Sequence, residues 1–148
     1  MLRIDQETYD AIVAHAKRDH PDEACGVVAG PEGSDRPERF IPMVNAASSP
    51  TFYEFDPTDL LKLYRDMDDR DEEPVVIYHS HTATEAYPSR TDIGLAMEPH
   101  AHYVLLSTRE HGNSDGPVEF RSYRIVDGDV TQEDVSVAAS LEDLRSQG

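Results

Sequence analysis

The sequence predicts a single α/β domain, a mixed, partly curled β-sheet flanked by helices, and three observations predict it. Apolar periodicity switches between the helical and the two-residue repeat in the order α-β-β-α-β-α-β-β-β. Strands outnumber helices in that order, and the helical segments fall between strands, as expected for helices packed on one shared sheet. The 148 residues suffice for one core, with no internal repeat and no linker long enough to divide it. The domain is expected over 1–137, followed by a polar, mobile tail at 138–148.

Each element has a local cause. Asp5 can cap a helix on which Tyr9, Ile12, Val13 and Ala16 recur at helical spacing, and His20-Pro21 ends it because proline cannot continue the hydrogen-bond ladder. Ala24-Cys25-Gly26-Val27-Val28-Ala29-Gly30 is a short apolar run closed by the turn-rich stretch 31–37, and Phe40-Ile41-Pro42-Met43-Val44 follows it, giving two strands. Asp56-Pro57 supplies a cap and a proline at the first helical position, and Leu60, Leu61, Leu63, Tyr64 and Met67 form an apolar face up to about Asp68. The acidic stretch at 66–73, with Asp66, Asp68, Asp69, Asp71, Glu72 and Glu73, reads as a solvated helix end. Val75-Val76-Ile77-Tyr78 is a central-strand sequence running straight into His79-Ser80-His81. Ser89-Arg90-Thr91-Asp92 matches a capping box and opens a helix through Ile93, Leu95, Ala96 and Met97 until Pro99. His102-Tyr103-Val104-Leu105-Leu106-Ser107 reads as a buried strand. Phe120 to Val126, the turn Asp127-Gly128 and Val130 to Val137 read as a closing hairpin.

Charge narrows the partners. With 13 basic and 30 acidic side chains the net charge is −17, which repels phosphate backbones and anionic headgroups, so neither nucleic acid nor a membrane surface is an expected partner. The single cysteine, Cys25, cannot form an internal disulfide, and the first residues lack the apolar core of a signal peptide; a cytoplasmic location is expected. The oligomeric state is not legible.

The chemistry is concentrated in His79-Ser80-His81, with Ser89 and Asp92 following after seven and ten intervening residues. Side chains alternate along an extended strand, so His79 and His81 project from one face and Ser80 from the other. If the chain turns back through the loop 82–88, Asp92 in a first helical turn can return a carboxylate to the same point. Two nitrogens and one oxygen make a three-ligand set for zinc with the fourth tetrahedral position open, the pattern of a catalytic site. Such a metal suits amide hydrolysis, which also needs a base; Glu23, at the junction of helix and strand, is the leading candidate among 30 acidic residues, although spacing alone does not select it.

Glu23-Ala24-Cys25-Gly26-Val27-Val28-Ala29-Gly30, followed by His79-Ser80-His81, Ser89 and Asp92, resembles the signature of the JAMM (MPN-plus) metalloproteases. Arg18 to Gly26, Tyr78 to Asp92 and Arg121 to Gly128 are similar to the actinobacterial Mec-type cysteine peptidases within that family. The resemblance implies a JAMM/MPN, cytidine-deaminase-like fold, zinc bound by His79, His81 and Asp92, Glu23 as general acid/base, and Ser89 as a donor to the oxyanion. It also implies a substrate: a small ubiquitin-like sulfur-carrier protein, CysO, bearing cysteine on its C-terminal glycine, whose hydrolysis releases L-cysteine in cysteine biosynthesis. Only nine residues separate Asp92 from His102, so there is no room for the insertions with which deubiquitinating relatives read a polyubiquitin chain. A carrier tail lying extended beside Thr82, Ala83 and Thr84 is expected instead. The rival readings are a broader isopeptidase on other ubiquitin-like conjugates and a non-catalytic MPN-type scaffold.

Other candidates have plainer explanations. His100-Ala101-His102 repeats the histidine pattern without a serine and aspartate at matching distances; the position eleven after His102 is Asn113. His15, His20 and His111 read as surface or cap residues, Cys25 as a small apolar residue rather than a nucleophile, and Ser80 as packing. Ser89 is also an ideal helix cap, and capping does not exclude catalysis.

Overall fold

The computed structural model describes residues 1–146. Its elements are β1 (Leu2–Asp5), α1 (Gln6–Asp19), β2 (Cys25–Pro31), β3 (Arg39–Met43), α2 (Pro57–Asp69), β4 (Glu72–His81), α3 (Arg90–Leu95), β5 (His102–Ser107), β6 (Glu119–Val126), β7 (Asp129–Glu133), β8 (Val135–Ala138) and α4 (Leu141–Ser146). The predicted caps do their work. Asp5 accepts the Thr8 N–H at 3.2 Å and the Thr8 hydroxyl at 2.6 Å, and Asp56 accepts the N–H groups of Thr58 and Asp59 at 2.9 and 3.0 Å.

Six strands form one mixed sheet in the order β3-β2-β4-β5-β6-β7, antiparallel at every junction except β4–β5. Helices cover it on both sides. One apolar layer joins Ile12 and Ala16 of α1 to Val28, Val76, Tyr78 and Val104; the other joins Leu63 and Met67 of α2 to Val27, Ile77, Tyr103 and Leu105. Burying each large side chain there stabilises the fold by about 1.5–3 kcal/mol relative to exposure. Successive residues of β4 therefore serve opposite layers. Val75 is the exception: between the pairs Val28↔Val76 and Ala29↔Pro74 it has no partner on β2, a bulge that lets it join Val76 in the same layer. Beyond that bulge the alternation is regular, and Ile77, His79 and His81 share the α2 side while Tyr78 and Ser80 share the α1 side.

Parallel pairing of β4 with β5 forces a crossover, and that crossover is the segment 82–101, which carries α3. It leaves the sheet at the carboxyl end of β4, where loops of mixed α/β sheets usually build their sites. Among the described residues no helix is long and apolar enough to cross a membrane.

Four readings from the sequence change. Leu2–Asp5, unassigned from the sequence, is a strand that pairs parallel with β8, and both Leu2 and Ile4 are fully buried. The stretch expected as the second arm of the hairpin divides into β7, which continues the large sheet, and β8, which joins β1 instead. The segment 138–148, expected as a polar and mobile tail, contains α4, which packs on β1; its Leu144 is 1% exposed and its Arg145 binds Glu38 at 2.9 Å. Two leucines, Leu141 and Leu144, in a polar stretch give too short a period to be read beforehand. Gln147 and Gly148 lie outside the described residues. The helix after Ser89 also ends early, at Leu95, since Gly94 weakens it and none of its side chains is buried.

Candidate active site

Strand parity and the crossover bring three donor atoms together. His79 Nε2 and His81 Nε2 are 3.3 Å apart, and Asp92 Oδ2 lies 3.1 Å from each. The expected capping box is formed: Ser89 Oγ accepts the Asp92 N–H at 3.1 Å, and Asp92 Oδ2 accepts the Ser89 N–H at 2.8 Å. The bond that starts α3 thus also aims the carboxylate. Glu23 completes the group, its carboxylate and one nitrogen of each imidazole lying within 4.8 Å of one another. All three of these side chains are buried.

The donor chemistry fits a cation. The Glu85 carbonyl, which can only accept, lies 2.9 Å from His81 Nδ1, so the ring hydrogen sits on Nδ1 and the Nε2 lone pair faces His79 and Asp92. Acceptors facing acceptors at 3.1–3.3 Å repel unless a proton or a metal ion lies among them. The edge of a tetrahedron with zinc–nitrogen bonds of about 2.0–2.1 Å is roughly 3.3 Å, which is the spacing that the three atoms have.

Electrostatics follow from burial and these contacts. Burial pushes Glu23 up to about 7, opposed by His81 and helped by Asp92. Burial lowers His79. For His81 the bonds to Asp92 and the Glu85 carbonyl outweigh burial and raise it. Burial pushes Asp92 upward, but the hydrogen bonds from both histidines and from Ser89 hold it far below the usual carboxylate range.

Beside the triangle is a cavity of about 250 Å³, with Glu23, His81, Ser89 and Asp92 in its walls. Thr82, Ala83 and Thr84 form one side of it, and Pro50, Thr51 and Phe52 another. The Thr82 hydroxyl donates to the Pro50 carbonyl at 2.8 Å and ties the two sides together.

Three residues near this centre were not singled out for it in the sequence. Asn45, 7% exposed, donates through Nδ2 to the carbonyls of Glu23 (3.0 Å) and Phe52 (2.9 Å) and accepts the N–H groups of Ala47 and Glu54, both at 3.0 Å. Ser80, expected only to pack, accepts the Ala24 N–H at 2.8 Å and returns its own N–H to the Ala24 carbonyl at 3.0 Å. With the Glu23 N–H bonded to the Ser49 carbonyl at 2.9 Å, the backbone on both sides of Glu23 is pinned. Tyr53 stacks on the His79 ring, centroids 4.3 Å apart. Asparagine in a polar loop carries no signal of such a job, since the two carbonyls it binds lie 22 and 7 positions away in sequence.

The remaining histidines stay apart. Both ring nitrogens of His102 are engaged, 2.6 Å from Glu133 and 2.7 Å from Asp35, so it has no lone pair for a metal. His15, expected at the surface, is buried, with Nδ1 2.6 Å from the Tyr78 hydroxyl, because α1 turns this position onto the sheet. Burial pushes the Cys25 thiol up to about 12, with Asp19 and Glu23 adding to it, so it is no nucleophile.

The profile of prokaryotic homologues of the JAB domain matches residues 5–126. The chain belongs to that family. This is the grouping that the JAMM resemblance pointed to, and the matched span holds Glu23, His79, His81, Ser89 and Asp92. Among JAB-domain relatives, the CysO-cysteine peptidase of Mycobacterium tuberculosis is 66% identical over 137 residues, covering 93% of this chain and 91% of that protein. A desampylase of Haloferax volcanii is 31% identical over 111 residues, covering 72% of this chain and 80% of its own length. The solution structure of a protein from Desulfitobacterium hafniense superposes with a TM-score of 0.80 at 30% identity, covering 96% of both chains.

Proposed function

We propose that this chain is a zinc-dependent hydrolase that cleaves the amide between the C-terminal glycine of a ubiquitin-like sulfur-carrier protein and cysteine, releasing L-cysteine in cysteine biosynthesis in the cytoplasm. The observation that carries the reading is the convergence of His79, His81 and Asp92 on a common point beside a buried Glu23. The 66% identity to a CysO-cysteine peptidase supports the choice of substrate.

Zinc held by His79, His81 and Asp92 would polarise the scissile carbonyl and lower the pKa of a water toward about 7. The protein's own groups do the rest. Glu23 accepts a proton from the attacking water as the new carbon–oxygen bond forms. The carbon–nitrogen bond then breaks, and Glu23 returns that proton to the cysteine nitrogen, leaving a carrier carboxylic acid and a free amine; the acid then gives up the second water proton to the amine or to solvent and becomes a carboxylate. A carboxyl raised to about 7 is suited to both transfers near neutral pH. Ser89 donates its hydroxyl hydrogen to the oxygen on which negative charge develops. The cavity between the walls at 50–52 and 82–84 is where an extended tail of small residues would lie.

The test is release of free cysteine from a purified carrier–cysteine conjugate, with and without a chelator, beside a conjugate joining the carrier to a lysine side chain. We expect cysteine release that stops on chelation and returns with zinc, and a Glu23→Gln variant that retains the metal but not the activity. Release indifferent to chelation would overturn the metal assignment. Equal cleavage of the lysine conjugate would favour a broad isopeptidase, and zinc-free, inactive protein a scaffold.

A further inference from the structure

A second cavity, of about 480 Å³, adjoins the first, within the usual range of about 300–1,000 Å³ for small-molecule pockets. Glu23 is the one residue that lines both cavities. We infer that this second cavity is the leaving-group subsite, in which Arg18 pairs with the α-carboxylate of the departing amino acid. The inference rests on the function proposed above and adds to it the group that reads the leaving side.

The placement follows from the proton transfer. Glu23 has to reach the nitrogen of the departing amino acid, so that amino acid lies on the Glu23 side of the scissile bond. Its carboxylate is attached to the carbon next to that nitrogen and stays ionised throughout. In a protein of net charge −17 such an anion is repelled almost everywhere. The walls of the smaller cavity hold no arginine or lysine. Among the residues lining the larger one, Arg18 is the single permanent cation; of the three carboxylates there, Asp19 is engaged by His15 and Arg18, Glu23 carries the reaction's proton, and Asp22 is the third.

Arg18 is also available. Its side chain is 70% exposed, and among the described residues its one hydrogen bond runs from Nε to Asp19 Oδ1 at a long 3.3 Å. Asp19 is shared, its other oxygen lying 3.0 Å from His15 Nε2. Among the described residues the terminal nitrogens of the Arg18 guanidinium have no partner, and those two nitrogens form the fork that grips a carboxylate in bidentate fashion. Asn45, its amide committed to backbone groups, and Ser48 also line this cavity.

The experiment compares two conjugates that differ in one group: the carrier joined to cysteine and the carrier joined to cysteinamide, whose carboxylate is masked. The reading is the ratio of their kcat/KM values. For a partly exposed charged pair we expect wild-type enzyme to prefer the carboxylate by about tenfold. Arg18→Gln should bring the ratio to near one, and Arg18→Glu should take it below one. Because the side chain is exposed and makes one weak contact, neither variant should shift the melting temperature by more than about 2 °C. A wild-type ratio near one would overturn the subsite, as would an Arg18→Gln ratio equal to that of wild type. A wild-type enzyme that cleaves neither conjugate would sink the proposed function and this subsite together.

Discussion

Ser89 caps α3, the proposed mechanism gives it a chemical task as well, and two substitutions separate the two. Its Oγ accepts the Asp92 N–H at 3.1 Å, and among the described residues its hydroxyl hydrogen has no recipient, so it can donate into the cavity. Replacing a capping serine with alanine costs about 1 kcal/mol, whereas glycine at the same position costs a few tenths. In a protein of this size Ser89→Ala should therefore lower the melting temperature by roughly 3 °C and Ser89→Gly by less than about 1 °C. Both lose the proposed donor to the oxyanion, and such a donor is worth about 10²–10³ in turnover, or about 2.7–4 kcal/mol. The assay is thermal unfolding alongside kcat for cysteine release, at matched metal content. Equal loss of kcat with unequal loss of stability is the expected outcome. Should Ser89→Gly turn over within a few-fold of wild type, the hydroxyl is a cap and nothing more.

Two further outcomes follow from residues away from the centre. A Cβ on Gly26 would overlap the Tyr78 ring and hydroxyl, which the His15 bond at 2.6 Å holds in place. Gly26→Ala should therefore destabilise the protein by about 1–3 kcal/mol in urea denaturation, and an unchanged midpoint would show that the ring can move aside. Glu133 is pushed up by burial, yet hydrogen bonds from His102, Ser122 and the terminal amine prevail and hold it at about 2 against an ordinary 4.5. The unfolded chain thus takes up this proton first as pH falls. The stability that Glu133 contributes is complete above pH 4.5 and is lost as pH drops toward about 2. Glu133→Gln should flatten the pH dependence of unfolding across that window, and a slope equal to wild type would remove Glu133 as its source.

What the sequence disclosed depended on how local the determinant was. The histidine pair was legible because strand parity is a two-residue rule, and Ser89 with Asp92 because a capping box closes within four positions. The caps at Asp5 and Asp56 were legible for the same reason. Leu2–Asp5 was not, since a four-residue strand paired with β8 has its reason at the other end of the chain. Asn45 was hidden because it works on carbonyls 22 and 7 positions away. Glu23 lies between these cases: its neighbours fit a family signature, but its raised proton affinity comes from burial that no spacing reveals.

The crossover explains why so small a helix can carry part of the site. None of the six residues of α3 is buried, and a helix that short has no stability of its own. It is held at its first turn, where Asp92 Oδ2 accepts from Ser89 and meets both imidazoles. Starting the helix and bringing the carboxylate to the histidines are therefore one event. Any cation that stabilises the triangle also stabilises the helix start, by the same free energy, because ligand binding and local ordering are linked. The imidazoles sit on β4, buried on both faces between the two apolar layers, and cannot follow a displaced carboxylate. The rigid half of the centre is thus the sheet and the adjustable half is α3, so the affinity of the site for a cation would depend on how well a single capping box holds.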